Sequence, residues 1–161
     1  MSELLDHLSR DTLPPELLDS FVNWCVWEQA HPALLTILQK TGLYEQADHL
    51  QTAKTFAMLA QISEKAGNDV HEARKSTGPL GLSTAEAASF LVSRMAKAAT
   101  EAEWDPEGVA FFAAQVCGWA GFAEVGFNDF NRKTIAEQIA RQTQEDQLSG
   151  LWRQFAVGEN S

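Results

Sequence analysis

The stretch Asp105–Phe127, DPEGVAFFAAQVCGWAGFAEVGF, decides how the whole chain is read. Between Val109 and Val125 only Gln115 and Glu124 are plainly polar. Asp105 is placed to cap a helix, Pro106 suits the first helical position, and Glu107 favours the positive end of the helix dipole. A helix that stays apolar around its circumference belongs in the middle of a bundle. Ala110, Ala114, Cys117, Gly121 and Val125 form a ridge of mostly small side chains that lets a neighbour approach closely. Val109, Phe112, Val116, Ala120 and Ala123 form a second packing face. The prediction is a central helix over about 106–125, ended by Gly126. Gln115 and Glu124 then need partners across the bundle or must reach an end; a ligand pocket around them is the alternative. The stretch is too rich in Ala and Gly, and too poor in basic flanks, to span a membrane.

The segments on either side read as its amphipathic companions. Pro14 and Pro15 open a first helix whose stripe is Leu18, Phe21, Val22 and Cys25, widened by Trp24 and Trp27. Pro32 disfavours helix at His31 and predicts a kink or break there. PALLTILQK follows and ends at Gly42, a C-terminal cap. A third helix is expected from Tyr44 to Ala66, ended by Gly67-Asn68. DVHEARKS is a short helical turn and TGPLGL a loop. STAE reads as a capping box of Ser83 and Glu86, opening a helix with Ala85, Ala88, Val92, Met95 and Ala99 on one face. Asn128 or Asp129 caps the last helix, roughly 130–155. Its surface is expected to carry Lys133, Glu137, Arg141 and Glu145. Ile135 and Ile139 pack at one end, and Leu148, Leu151, Trp152 and Phe155 at the other. ARQTQEDQ offers only Ala140 to a core, so the helix projects past the bundle there or bends at Ser149-Gly150. The expected fold is all-α: one domain over 1–161, a bundle of about six helices, with 1–12 and 156–161 frayed. No repeat with matching anchors is present.

The chain has 161 residues, 45% of them apolar and 21% charged, the balance of an ordinary single domain. At this length a folded chain buries about 68–70% of its unfolded surface, enough for a core without metals or disulfides. The net charge is −10. That argues against binding a phosphate backbone, which needs clustered Lys and Arg, and against docking on anionic lipid. It is compatible with a basic protein partner, or simply with solubility. Cys25 and Cys117 sit in apolar helical context and read as packing thiols without a neighbouring base. The N-terminus MSELLDHLSRDTLPP has no continuous apolar core, so the expected compartment is the cytoplasm.

Little in the sequence points to catalysis. Glu28 and His31 form one E-x-x-H, whereas four-helix carboxylate metal proteins use two, with two further Glu. Glu45 and His49 share a helix face but read equally as a surface pair. No phosphate-cradle or nucleophile-elbow motif is present. No catalytic residue, metal ligand or cofactor is therefore assigned. The richest stretch is TEAEWDPEG, where Glu101, Glu103, Asp105 and Glu107 surround Trp104 at a helix junction. If Trp104 is exposed, this is an acidic patch with an aromatic anchor, suited to binding a protein. If Trp104 folds over the bundle end, the carboxylates serve capping and the helix dipole, which is the plainer reading.

Four stretches, FVNWCVWEQAHPALL, HEARKS, WDPEGVAFFAAQVCGWAGFAEVGF and EQIARQTQEDQLSGLW, resemble in order and Ala-rich texture the small all-helical immunity proteins of bacterial polymorphic-toxin systems. The resemblance spans about Phe21 to Trp152. It implies a toxin-neutralising binder without chemistry of its own, encoded beside its toxin, and it assigns no binding residue. An acidic patch would suit a basic nuclease toxin. The expected function is thus a non-catalytic protein-binding module, monomer or homodimer, with no nucleic-acid or membrane partner. The alternatives are a structural or regulatory homo-oligomer and a helical metal- or ligand-binding protein.

Overall fold

The computed structural model describes residues 13–76, 81–101 and 105–159. It is an all-α bundle, with no strand among the described residues. Among these residues seven α-helices run in the order α1 (Pro15–Trp24), α2 (His31–Lys40), α3 (Tyr44–Gln51), α4 (Phe56–Ser76), α5 (Leu82–Thr100), α6 (Pro106–Glu124) and α7 (Asn131–Glu159). A π-helical segment, Cys25–Ala30, joins α1 to α2 without interruption, so the seven make six rods. The backbone of residues 156–159 is helical, while residues 1–12, 160 and 161 lie outside the described residues.

The break expected at Pro32 does not occur. His31 is helical (φ −60°, ψ −52°) and its N–H reaches back to the Val26 carbonyl. A proline inside an α-helix removes one hydrogen bond and crowds the carbonyl four residues earlier. The wider i→i+5 turn just before Pro32 gives the ring its room. The same segment turns Cys25, Val26, Gln29 and Ala30 inward together. With Leu17, Leu18, Phe21, Leu34, Ile37 and Leu38 they form the largest single contribution to the core. The rod then stops as the sequence predicts. Gly42 takes φ +78°, its N–H meets the Gln39 carbonyl, and the Leu43 N–H meets that of Leu38, a Schellman motif.

The single helix expected over 44–66 is two helices. Thr52 turns its hydroxyl onto the His49 carbonyl at 2.6 Å, Ala53 is buried in the turn, and Thr55 caps α4 by accepting the Met58 N–H at 3.1 Å. Nor does Gly67-Asn68 end anything, because α4 runs on to Ser76. Gly67 is a contact point. A Cβ there would lie 2.8 Å from the Phe90 ring, so its absence lets α5 lie close. Pairs such as Ala60 with Ser93, Gly67 with Phe90 and Arg74 with Glu86 run in opposite senses along the two helices, which makes α4 and α5 an antiparallel hairpin. In the expected TGPLGL loop, residues 77–80 lie outside the described residues.

The capping box at Ser83 is also absent. α5 begins at Leu82, with Gly81 as its N-cap at φ +106° and no side-chain cap. The Phe127 ring fills the place a Cβ on Gly81 would take, at 2.6 Å. The chain therefore enters the helix two residues early, and Glu86 is left to reach across to α4. There it meets His71 at 2.6 Å and Arg74. Desolvation raises the Glu86 pKa, but the hydrogen bonds from His71 and Arg74 and their positive field outweigh it and hold it below the usual carboxylate value of 4.5. A depressed carboxylate stabilises the fold above its unfolded pKa and ceases to do so as pH falls through its folded one. Urea melts between pH 6 and 3 are expected to show Glu86→Gln losing stability at pH 6 and converging on the wild type in acid. Parallel curves would exclude this linkage.

α6 packs against the α1–α2 rod, α5 and α7, the central place its composition predicts. Asp105 caps it by accepting the Glu107 N–H at 3.1 Å. Gly126 stops it at φ +70°, with the Phe127 N–H on the Phe122 carbonyl and those two rings 5.6 Å apart. Gln115 is half-buried and Glu124 reaches the exposed helix end. α7 returns antiparallel along α6, with Gln144 bonded to Ala110, Glu137 beside Gly118 and Ala136 beside Gly121.

Candidate partner-binding surface

Ala140, Leu148, Leu151 and Phe155 pack as expected, but Trp152 is exposed and the N-terminal half of α7 turns inward the reverse of the expected face. Lys133 and Glu137 pair at 2.9 Å with side chains only 16% and 24% exposed, and the Lys133 ammonium sits 5.0 Å from the Trp119 ring centroid. Glu145 is buried. Ile135 and Ile139, expected in the core, stand 43% and 62% exposed. The ARQTQEDQ stretch does not project from the bundle. Gln144 is fully buried in it, and Leu148 follows one turn later.

A buried amide pair holds this inverted face. Gln144 donates through Nε2 to Gln29 Oε1 at 2.8 Å and to the Ala110 carbonyl at 2.7 Å. Gln29 donates through Nε2 to the Ala140 carbonyl at 3.1 Å, and Arg141 donates to Gln144 Oε1 at 2.9 Å. Three elements, the π segment, α6 and α7, thus meet on two side chains. A satisfied buried network of this kind fixes one arrangement, since any rotation of α7 would orphan several groups at once. Gln29 falls one turn after Cys25 on the apolar stripe of the first rod. That amide within a hydrophobic stripe, and a polar run between two apolar helix ends, are the sequence signals that could have revealed it.

Above this network lies an open groove between the first rod, the C-terminal half of α6 and the middle of α7. Its floor is small: Ala120, Gly121, Ala136 and Ala140, with Gln29 and Cys117 beside them. Close packing keeps it so, because a Cβ on Gly121 would come 2.5 Å from that of Ala136. Trp24 and Ile139 form apolar walls, and Glu28 and Glu124 supply its charge. Among the described residues no lysine or arginine lines it.

Cys117 offers its thiol to the Gln29 carbonyl at 3.8 Å, and burial pushes its pKa up to about 12. Burial, then the neighbouring Cys117, hold Cys25 higher still. Both thiols therefore stay protonated near neutral pH. Of the E-x-x-H pair, Glu28 is exposed on the groove while His31 bonds through Nε2 to the Leu50 carbonyl at 2.8 Å. Glu45 and His49 are both exposed. Among the described residues no group of three or more His, Cys, Asp and Glu is placed to hold a metal ion, and no helix is long and apolar enough to cross a membrane.

The acidic junction expected from the sequence is described in part. Glu101, Asp105 and Glu107 are exposed, Asp105 serving also as the α6 cap. Glu103 and Trp104 lie outside the described residues. The junction and the groove sit toward opposite ends of α6, with Glu107 and Glu124 separated by about 25 Å of helix rise. Compared with known protein families, with curated proteins and with solved structures, the chain gives no match.

Proposed function

We propose that this chain is a non-catalytic protein-binding module of the toxin-neutralising kind its sequence resembles. The observation that carries the reading is the inversion of α7. Two isoleucines face water while charged and amide side chains of the same helix face the core. Burying an isoleucine is worth about 1.5–3 kcal/mol. A helix that forgoes this twice, beside a groove walled by a tryptophan, has apolar surface to offer a partner. The charge of −10 adds attraction for a basic one.

The test is co-expression with the host's candidate toxins, joined to affinity capture. The expected result is one basic partner bound at near one-to-one ratio, whose growth arrest the chain relieves. Ile135→Asp/Ile139→Asp, both at exposed positions, should leave the fold intact by circular dichroism and abolish relief. Relief that survives this double change would move binding off α7. A stable dimer by light scattering that the same change splits would replace this reading with the homo-oligomer one.

A further inference from the structure

Resting on the binding-module reading, we infer that the groove between the first rod, α6 and α7 receives a partner helix that presents an aliphatic side chain flanked by lysine or arginine. The floor decides the shape of the occupant. Ala120, Gly121, Ala136 and Ala140 bring no bulk into the groove, while Trp24 and Ile139 rise on either side. Such a channel admits a large aliphatic side chain between its walls, as helix-in-groove recognition requires. The floor is also held in shape before binding, because Gln29 and Ala140 are tied into the buried amide network. A prearranged groove loses little freedom on binding.

Charge decides which helix. Among the described residues, the ionisable carboxylates lining the groove are Glu28 and Glu124, and no cation lines it. Glu124 is also the last residue of α6, so the negative end of that helix dipole adds to its field. Arg132, one turn before Ala136 on α7, is exposed but does not line the groove. A second copy of the chain is disfavoured by the same features. Across a two-fold axis the groove would meet itself and set Glu28 and Glu124 against their own copies.

The experiment uses the full chain and a fluorescein-labelled helical peptide of Leu, Ala and Lys, with a control peptide carrying Glu for Lys. Anisotropy is expected to show saturable binding of the Lys peptide alone, weakening as salt rises. Glu28→Gln/Glu124→Gln should weaken it about fivefold, a pair of rim charges at low salt. Ile139→Asp should weaken it about tenfold or more. Glu101→Gln/Glu107→Gln, at the other end of α6, should leave it within about twofold. Equal losses from the two acidic pairs would reduce the effect to overall charge and overturn the inference, as would binding of the Glu peptide or a dimer that Ile139→Asp splits. If the chain captures a toxic partner while the peptide ignores the groove residues, the groove assignment falls and the binding-module reading stands. If neither binds, both fall.

Discussion

Gln144→Leu is expected to destabilise the protein by about 2–4 kcal/mol, and adding Gln29→Leu to recover a large part of that loss. The single change keeps the volume but removes both donors from Nε2. Gln29 Oε1 is then left in the core without its 2.8 Å partner. An orphaned buried acceptor costs about 1–3 kcal/mol, and the imperfect fit of leucine in an amide's place adds about another 1. The Ala110 carbonyl keeps a second bonding site within its own helix and suffers less, and the Ala140 carbonyl keeps its bond from Gln29. Arg141 loses the Gln144 acceptor but is only half-buried. Removing Gln29's amide as well takes away the orphan, and a pair of apolar groups of similar shape is close to neutral. Urea denaturation at constant m resolves the two variants. A melting midpoint lower by about 5–15 °C is expected for the single change in a chain of this size. A double variant no better than the single one would show that the network is not acting as a pair.

Gly121→Val should cost about 2–3 kcal/mol. Its Cβ would lie 2.5 Å from the Ala136 Cβ and 3.2 Å from the Arg132 carbonyl, neither of them the free end of a flexible chain. α7 must move away as a unit, and overfilling a packed interface costs about 1–3 kcal/mol. The helix propensity gained on leaving glycine offsets at most about 0.5 of this. Gly150→Val is the control, since nothing lies within 4 Å of a Cβ there. That variant is expected to match or slightly exceed the wild type in thermal melts, while Gly121→Val falls by several degrees. Equal melting points would mean that α6 and α7 are not held at the described spacing.

These two sites also mark where sequence reading ends. The place of α6 was legible because its signals are local. Asp105-Pro106 starts it, Gly126 stops it, and no face between them is polar enough for water. The face of α5 from Ala85 to Met95 was legible for the same reason. α7 was not, since two sets of residues spaced by four competed for the core. Hydrophobicity alone favours Ile135 and Ile139. The outcome turned on Gln29, more than a hundred residues away, which draws Gln144 inward and takes its neighbours along. Gly67 poses the same problem: whether it ends a helix or admits a ring depends on Phe90, in another element. The exposed carboxylates Glu101, Asp105 and Glu107 could be read from composition. The groove could not, because its walls belong to segments that meet only after α7 has chosen a face.

The π-helical segment at Cys25–Ala30 has a consequence for how the first rod tolerates change. It acts as a splice between two helices set out of phase, letting α1 aim at α7 while α2 aims at α3 and α5. Deleting one residue there would restore regular winding with α1 and α2 still in phase, whereas winding the same residues regularly without a deletion would swing α1 by about 100° relative to α2, carrying Leu17 and Phe21 off their targets. Length in this rod is therefore a setting of direction: a residue lost outside the π turn, which an exposed loop would absorb, would here turn α1 away from its partners.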